Sequence, residues 1–181
     1  MLKTLILFAH PRLEKSRINR KLLEVIPKDL PVTLHDLYEK YPDFNIDVEA
    51  EKRLLLEHDV FIFHHPFYWY SCPPLLKQWI DLVLELGWAY GPGGTQLSGK
   101  YVFNAITTGG PQEAYTHEGR HQYTITELLA PFIQTANLCK MIYLTPFSVH
   151  GTHRLTDAEV EEQANRYAGM LRKTVNGDFN I

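Results

Sequence analysis

Short apolar runs alternate with helical patterns along this chain, and that alternation limits the possible folds more than any other feature. The run 59–63 is apolar, β-branched and aromatic without a break, which is typical of a strand buried on both faces of a parallel sheet. Comparable runs lie at 1–9, 31–37, 101–106 and 141–149. Five strands, each followed by a helical pattern, predict an α/β protein with one doubly wound parallel sheet.

Capping residues and apolar stripes predict the helices between these runs. The predicted starts are Ser16, residue 48, Pro73-Pro74, Thr124 and Thr156, with ends near Pro27, Leu56, Gly87, Leu138 and residue 175. Pro131 predicts a kink in the fourth helix or a later start of it, and Pro146 predicts an interruption of the last strand. Ligand loops after strands one, three and four fit the flavodoxin-like order 2-1-3-4-5. We expect one domain over residues 1–175 and a frayed tail over 176–181.

Composition and charge exclude several classes of protein. The chain has 181 residues, the size of one α/β domain, and a net charge of −3, which gives no electrostatic footprint for nucleic acid. Two cysteines, Cys72 and Cys139, are too few for a disulfide framework, so we expect reduced thiols in a cytoplasmic protein. The N-terminal apolar run breaks at His10-Pro11, which predicts a strand rather than a signal peptide.

The predicted turn 64–74 carries consecutive aromatic residues at the carboxyl end of the central strand. Open α/β sheets bind their ligands at that edge, and flat rings on a loop suit a flat ligand. The alternative is a tight turn whose rings pack back onto the sheet. Adjacent side chains cannot all point inward from one loop, and this favours a ligand site.

Two further loops suit the same edge of the sheet. Residues 10–19 place hydroxyl, amide and cationic groups beside a helix N-terminus, where a phosphate binds well, although Ser16 as a plain N-cap explains them equally. The chain has neither GxGxxG nor GxxxxGK[ST], which disfavours a Rossmann or Walker-type site. Glycines in 107–110 would let the backbone approach a ligand closely.

The segment 117–121 matches the zinc-protease motif H-E-x-x-H literally. That motif requires a firm helix, but Gly119 lies inside it and Gly109-Gly110-Pro111 lies just upstream. His150 or His153 could be imagined as a third ligand, but no pattern places either one. We therefore predict no metal site.

The helix that begins at Pro74 is apolar nearly all round, since Leu82, Leu84 and Leu86 add to its buried stripe. A small isolated domain would have difficulty burying all of this surface. The pattern favours a homodimer.

Several segments in order carry a resemblance that spans most of the chain. They are 9–11 with Ser16 and Asn19, 37–38 with 41–47, 66–77, 87–91, 93–94, 97–100 and 107–110. With these segments the chain resembles the flavin-dependent NAD(P)H:quinone oxidoreductase family. More narrowly, it resembles the bacterial branch that contains the ancillary proteins of glutathione-gated potassium efflux systems.

The resemblance implies a bound flavin, FMN in preference to FAD because the chain is short, with NADPH or NADH as co-substrate. By position, the flavin would contact residues of three loops: His10, Ser16, Arg17 and Asn19 on its phosphate side, Pro66, Phe67, Tyr68 and Trp69 along its ring, and the backbone of Thr107, Thr108, Gly109 and Gly110. Tyr115 and His121 fall where larger relatives keep a tyrosine and a histidine that assist hydride transfer.

The implied activity is ping-pong hydride transfer from NAD(P)H to the flavin and from the flavin to a quinone. The alternative is a regulatory role, as a flavin-binding subunit of a glutathione-gated potassium efflux transporter. In that role a cytoplasmic protein would lie at the inner membrane through its transporter partner.

Overall fold

One parallel sheet forms the centre of the computed structural model, which describes residues 1–180. Its strands are β1 (Thr4–Phe8), β2 (Val32–Asp36), β3 (Val60–Pro66), β4 (Tyr101–Thr107), β5 (Ile142–Tyr143) and β6 (Phe147–Val149). Their order is β2-β1-β3-β4-β5, and β6 also pairs with β4. Every pairing between these strands is parallel. The strand order and the parallel pairing together confirm the predicted flavodoxin-like order.

The sheet is covered by helices on both faces, which explains the continuous apolar runs of its central strands. Alternate residues of β1 and β3 belong to two separate core clusters: Leu5, Leu7 and Phe61 to one, Ile6 and Ile62 to the other. The edge strand β2 is only half-buried, and its polar sequence predicts this position.

Within residues 1–180, six α-helices lie between the strands and a seventh follows the last strand. They are α1 (Arg17–Glu24), α2 (Leu37–Lys40), α3 (Val48–Leu56), α4 (Pro74–Val83), α5 (Ile125–Leu128), α6 (Ala130–Leu138) and α7 (Asp157–Val175). The predicted caps are confirmed, because the side chains of Ser16, Thr124 and Thr156 each accept a hydrogen bond from the first turn. A break at Leu129, just before Pro131, separates α5 from α6 as predicted.

Two local predictions were wrong, and one short helix was missed. The strand β3 does not end at Phe63, because His64 and His65 continue its ladder with β4 and are fully buried. The helix α4 ends at Val83, and Gly87 lies in a later turn with φ +80°. The short helix α2 was not predicted; the Asp36 carboxylate caps it by accepting hydrogen bonds from the backbone of residues 38 and 39.

The C-terminal segment lies against the start of β4. The ring of Phe179 is 4.3 Å from that of Tyr101, and Lys173 Nζ donates to the Asn180 carbonyl at 2.7 Å. Fraying of residues 176–181 stays a prediction, and Ile181 lies outside the described residues. Across residues 1–180, each helix is too short or too polar to cross a membrane.

Candidate functional site

A cavity of about 530 Å³ opens at the carboxyl edge of the sheet. The size is typical of small-ligand sites, which span roughly 300–1,000 Å³. The loops after β1, β3 and β4 all line it, as predicted from the strand order. Of the predicted binding residues it contacts nine: His10, Ser16, Arg17, Asn19, Pro66, Phe67, Tyr68, Thr107 and Gly109. A fourth loop, with Thr152, His153 and Leu155 after β6, was missed by sequence reasoning.

Asn19 joins the loops after β1 and β4 to the central strand. Its Nδ2 donates to Ser16 Oγ at 2.9 Å and to Thr107 Oγ1 at 3.0 Å, while its Oδ1 lies 3.0 Å from His64 Nε2. The residue is 1% exposed. All of its amide atoms are thus paired within the protein, and Asn19 fixes the positions of its neighbours.

The tautomer of His64 follows from this pairing. An amide oxygen only accepts hydrogen bonds, so His64 Nε2 carries the proton and Nδ1 accepts from the Tyr167 hydroxyl at 2.9 Å. Burial, helped by the neighbouring His65 and His10, lowers the pKa of His64 to about 3. The imidazole is therefore neutral.

His65 forms a matching network on the opposite face of the sheet. Its Nδ1 donates to the Pro66 carbonyl at 3.0 Å, and its Nε2 accepts from Asn104 Nδ2 at 3.0 Å. The Asn104 Oδ1 in turn accepts from the Tyr143 hydroxyl at 2.6 Å. Burial lowers the pKa of His65 to about 4. The end of β3 is thus fixed by hydrogen bonds on both faces.

The loop after β1 presents the N-terminus of α1 to the cavity. Arg12 and Lys15 line the same cavity and add positive charge. His10 Nδ1 accepts from the Arg12 backbone at 3.1 Å, and burial lowers the pKa of His10, which favours a neutral ring. The Arg17 guanidinium donates to Asp157 at 2.9 Å and to the Leu155 carbonyl. These two hydrogen bonds hold α1 against the loop before α7.

In the aromatic turn, residues 67–70, one ring is buried in the core and another is exposed to solvent. Phe67 is 9% exposed and its N–H donates to the Thr107 carbonyl at 2.9 Å, whereas Trp69 is 91% exposed and lies outside the cavity lining. Trp69 and Tyr70 have φ of +49° and +62°, and Ser71 N donates to the Tyr68 carbonyl at 3.0 Å. This is the pattern of a type I′ turn, which usually takes Gly, Asn or Asp. Two large residues in that conformation cost about 1–3 kcal/mol each, a strain common at functional sites.

The loop 107–110 is paired with the loop after β6. Thr108 N donates to Val149 at 2.8 Å, Thr152 N donates to the Thr108 carbonyl at 3.1 Å, and Gly151 N donates to the Gly110 carbonyl at 2.9 Å. Within residues 1–180 the N–H groups of Gly109 and Gly110 make no hydrogen bond. They are the backbone donors that this loop can offer to a ligand.

Tyr115 and His121 meet above Gly110. Their rings are 4.6 Å apart, and a Cβ built on Gly110 would lie 3.1 Å from Tyr115 Oη and 3.2 Å from His121 Nε2. His121 Nε2 is buried without a hydrogen-bond partner among residues 1–180. Tyr70, which sequence reasoning did not select, places its hydroxyl 3.2 Å from His121 Nδ1. The absence of a Cβ at Gly110 therefore lets these two polar atoms pack directly over its backbone, and we call this arrangement the cradle above Gly110.

The segment 117–121 forms turns and no helix. His117 lies 3.7 Å from Glu127, while His121 contacts the two tyrosines, so the motif's histidines face different partners. In the described part of the chain, no three His, Cys, Asp or Glu side chains are grouped to hold a metal ion.

Proteins of known sequence are similar to this chain over nearly its whole length. A family model described as a flavodoxin-like fold matches residues 2–171. An NAD(P)H oxidoreductase of Bacillus subtilis, YdeQ, whose name marks it as uncharacterized, is 48% identical, and the match covers 92% of this chain and 84% of the relative. The glutathione-regulated potassium-efflux system ancillary protein KefG of Shigella flexneri is 46% identical over 93% of this chain and 92% of its own length.

Solved structures with related sequences have the same fold. The general stress protein 14 of Treponema denticola, in complex with FMN, superposes with a TM-score of 0.87 and 37% identity, covering 97% of this chain and 98% of that one. An NADPH-quinone reductase from P. pentosaceus gives a TM-score of 0.85 and 34% identity, covering 94% and 98%. The chain therefore belongs to the flavodoxin-like NAD(P)H:quinone oxidoreductase family, in the bacterial branch that includes the ancillary proteins of glutathione-regulated potassium efflux.

Proposed function

We propose that the chain is an FMN-dependent NAD(P)H:quinone oxidoreductase. The observation that carries the proposal is the pair of polar atoms over Gly110, Tyr115 Oη and His121 Nε2, the second of which is buried with no hydrogen-bond partner among residues 1–180. Buried polar atoms without partners are rare in proteins, and one beside the Gly109–Gly110 loop, whose Gly109 lines the cavity, supports a ligand as its missing partner. The FMN complex and the NADPH-quinone reductase among the related structures support the same assignment.

The residues of the cavity fit FMN. The N-terminus of α1, with His10, Ser16 and the cationic Arg12 and Lys15, would hold its phosphate. Pro66, Phe67 and Tyr68 would contact its ring from the β3 side, and the free N–H groups of the 109–110 loop would donate to its polar edge. When bound, FMN supplies two-electron hydride chemistry to the site.

The protein's own groups have separate tasks in this proposal. Phe67 is buried and keeps water from one side of the cavity. Tyr115 and His121 donate hydrogen bonds where negative charge develops during reduction. Tyr68 lines the cavity and is 41% exposed, and nicotinamide and quinone would bind beside it in turn. One shared opening for both substrates leads to ping-pong kinetics.

Purified protein tests the proposal directly. We expect it to carry or take up a flavin that mass analysis identifies as FMN, and to oxidise NADPH or NADH with a benzoquinone acceptor. Initial-rate lines at several quinone concentrations should be parallel, and intersecting lines would contradict the shared opening. Tyr115→Phe and His121→Asn should each lower kcat by about 10²-fold, the lower range for positioned acid–base groups. Failure to load any flavin would refute the whole assignment.

A second candidate function rests on the KefG relative. We propose as the alternative that the chain docks on a potassium efflux transporter, with the flavin cavity as a regulatory site. Co-purification with the transporter encoded in the same genome would support this role. Transporter activation that persists in His121→Asn would show that docking does not need the reductase chemistry.

Assembly and location complete the proposal. Leu82 and Leu86, at and beyond the end of α4, are 41% and 67% exposed, which supports a homodimer that covers them. Cys72 and Cys139 are free thiols, which supports a cytoplasmic location. In the alternative role, the transporter would bring the protein to the inner membrane.

A further inference from the structure

We infer that Tyr70 is a positioning residue that holds His121 in the tautomer with its proton on Nε2, so that this N–H points into the cradle above Gly110. The inference rests on the proposed function, because it assigns the state of one proposed catalytic residue. It adds a residue from the aromatic turn to the Tyr115–His121 pair.

The imidazole of His121 is fixed between two tyrosine rings. Tyr70 lies on one side, with ring centroids 5.4 Å apart and planes at 70°, and Tyr115 lies on the other at 4.6 Å and 31°. The backbone N–H of His121 donates to the Ala114 carbonyl at 3.0 Å, which fixes where the side chain starts. Tyr70 Oη is then 3.2 Å from Nδ1.

The direction of this hydrogen bond decides the tautomer. A phenol is a stronger acid than a neutral imidazole N–H, and an imidazole nitrogen is a stronger base than a phenol oxygen, so Tyr70 donates to Nδ1. Neutral imidazole has one donor and one acceptor, and His121 Nε2 therefore carries the proton. Nε2 has no other partner among residues 1–180 that could reverse this choice.

The consequence is a pair of donors that lie side by side over Gly110. Tyr115 Oη and His121 Nε2 lie 3.1 and 3.2 Å from the same position, the missing Cβ of Gly110. Two donors that lie side by side over this glycine suit a ligand edge that gains negative charge, as a flavin does on reduction. The opposite tautomer would place a lone pair there and repel that charge.

The backbone of the aromatic turn supports this role for Tyr70. Both central residues of the turn have positive φ, and the Tyr68–Ser71 bridge closes it. This conformation carries the Tyr70 hydroxyl to a histidine 51 positions away in the chain. Strained non-glycine backbone persists where the surrounding contacts require it, and this hydrogen bond is such a contact.

Nitrogen-15 NMR of the full-length protein, with and without FMN, tests the inference. Long-range ¹H–¹⁵N spectra separate protonated from unprotonated ring nitrogens, and a His121→Asn spectrum identifies the signals among the nine histidines. We expect a protonated Nε2 in the wild type and a shift toward mixed tautomers in Tyr70→Phe. The matched control is Tyr123→Phe, since Tyr123 is 56% exposed and its hydroxyl makes no hydrogen bond among residues 1–180; it should leave the His121 signals unchanged.

Kinetics give the second measurement. Loss of one hydrogen bond that acts through His121 should lower kcat by about five- to tenfold in Tyr70→Phe and leave the KM for NADPH unchanged. A wild-type His121 protonated on Nδ1 would overturn the inference, as would an unchanged tautomer in Tyr70→Phe. The wild-type spectrum decides this even if the variant fails to fold. Absence of flavin binding or reductase activity would instead refute the proposed function and leave the tautomer result standing.

Discussion

Replacing Asn19 with alanine tests whether one buried amide holds the walls of the cavity together. The change removes the donors to Ser16 and Thr107 and the acceptor of His64 Nε2–H. His64 is 0% exposed, so its N–H would lose its partner out of reach of water, at a cost of about 1–3 kcal/mol. Ser16 and Thr107 line the cavity, where water can replace the amide. We therefore expect a total loss of about 2–3 kcal/mol.

Urea unfolding of the flavin-free protein, followed by the fluorescence of its three tryptophans, measures this loss. The free energy of unfolding should fall by the stated amount with no change in the denaturant slope. The melting temperature should fall by about 4–12 °C, since 1 kcal/mol corresponds to roughly 2–4 °C in a protein of this size. FMN must be absent, because a bound ligand adds its own stabilisation.

A double-mutant cycle separates the orphaned His64 N–H from simple loss of packing. His64→Phe keeps a ring of similar size but has no N–H to satisfy, so Asn19→Ala should cost less in that background. The interaction energy should be about 1–2 kcal/mol. Additive effects, or a loss below about 0.5 kcal/mol for Asn19→Ala alone, would show that the buried network does not hold the loops.

Three further predictions concern the cradle, acid stability and assembly. Gly110→Ala would place a methyl group 3.1–3.2 Å from both proposed catalytic side chains. It should reduce quinone reductase activity at least tenfold, an effect of about 1.4 kcal/mol. The control Gly169→Ala, with open space around its Cβ, should leave the activity unchanged. The pKa values of His64 and His65, about 3 and about 4, lie below those of unfolded histidine, so the unfolded state takes up the protons. The free energy of unfolding should therefore fall by about 1.4 kcal/mol per pH unit for each histidine as the pH drops from ~6.5 toward those values. His64→Phe should reduce the slope of the unfolding free energy against pH. Leu86→Arg should convert a dimer to monomers in analytical ultracentrifugation; an unchanged sedimentation coefficient would exclude that surface from the interface.

Local signals in the sequence predicted most of the fold. Ser16 and Thr124 have the cap spacings that helix ends require, and both caps form as predicted. The order of the strands followed from the positions of the ligand loops. The caps depend on neighbours within a few positions, which is why a single sequence reveals them, whereas the strand order was inferred from the fold class.

The features that the sequence did not reveal depend on distant partners. His64 and His65 are polar and read as a turn, but they are buried in β3 because Asn19 and Asn104 satisfy their ring nitrogens from 45 and 39 positions away. Likewise, the 150–155 loop reaches the cavity because β6 pairs with β4 after the break at Pro146. No local pattern contains either pairing.

The pairing between the 107–110 loop and the 149–152 loop affects how the protein would bind a ligand. Since these backbone groups are already hydrogen-bonded to one another, binding would not have to order them, and the conformational entropy lost on association would be small. Because these loops are already ordered, a ligand would enter and leave by diffusion through an opening that is always present. This exchange is faster than one that requires a lid to open and close.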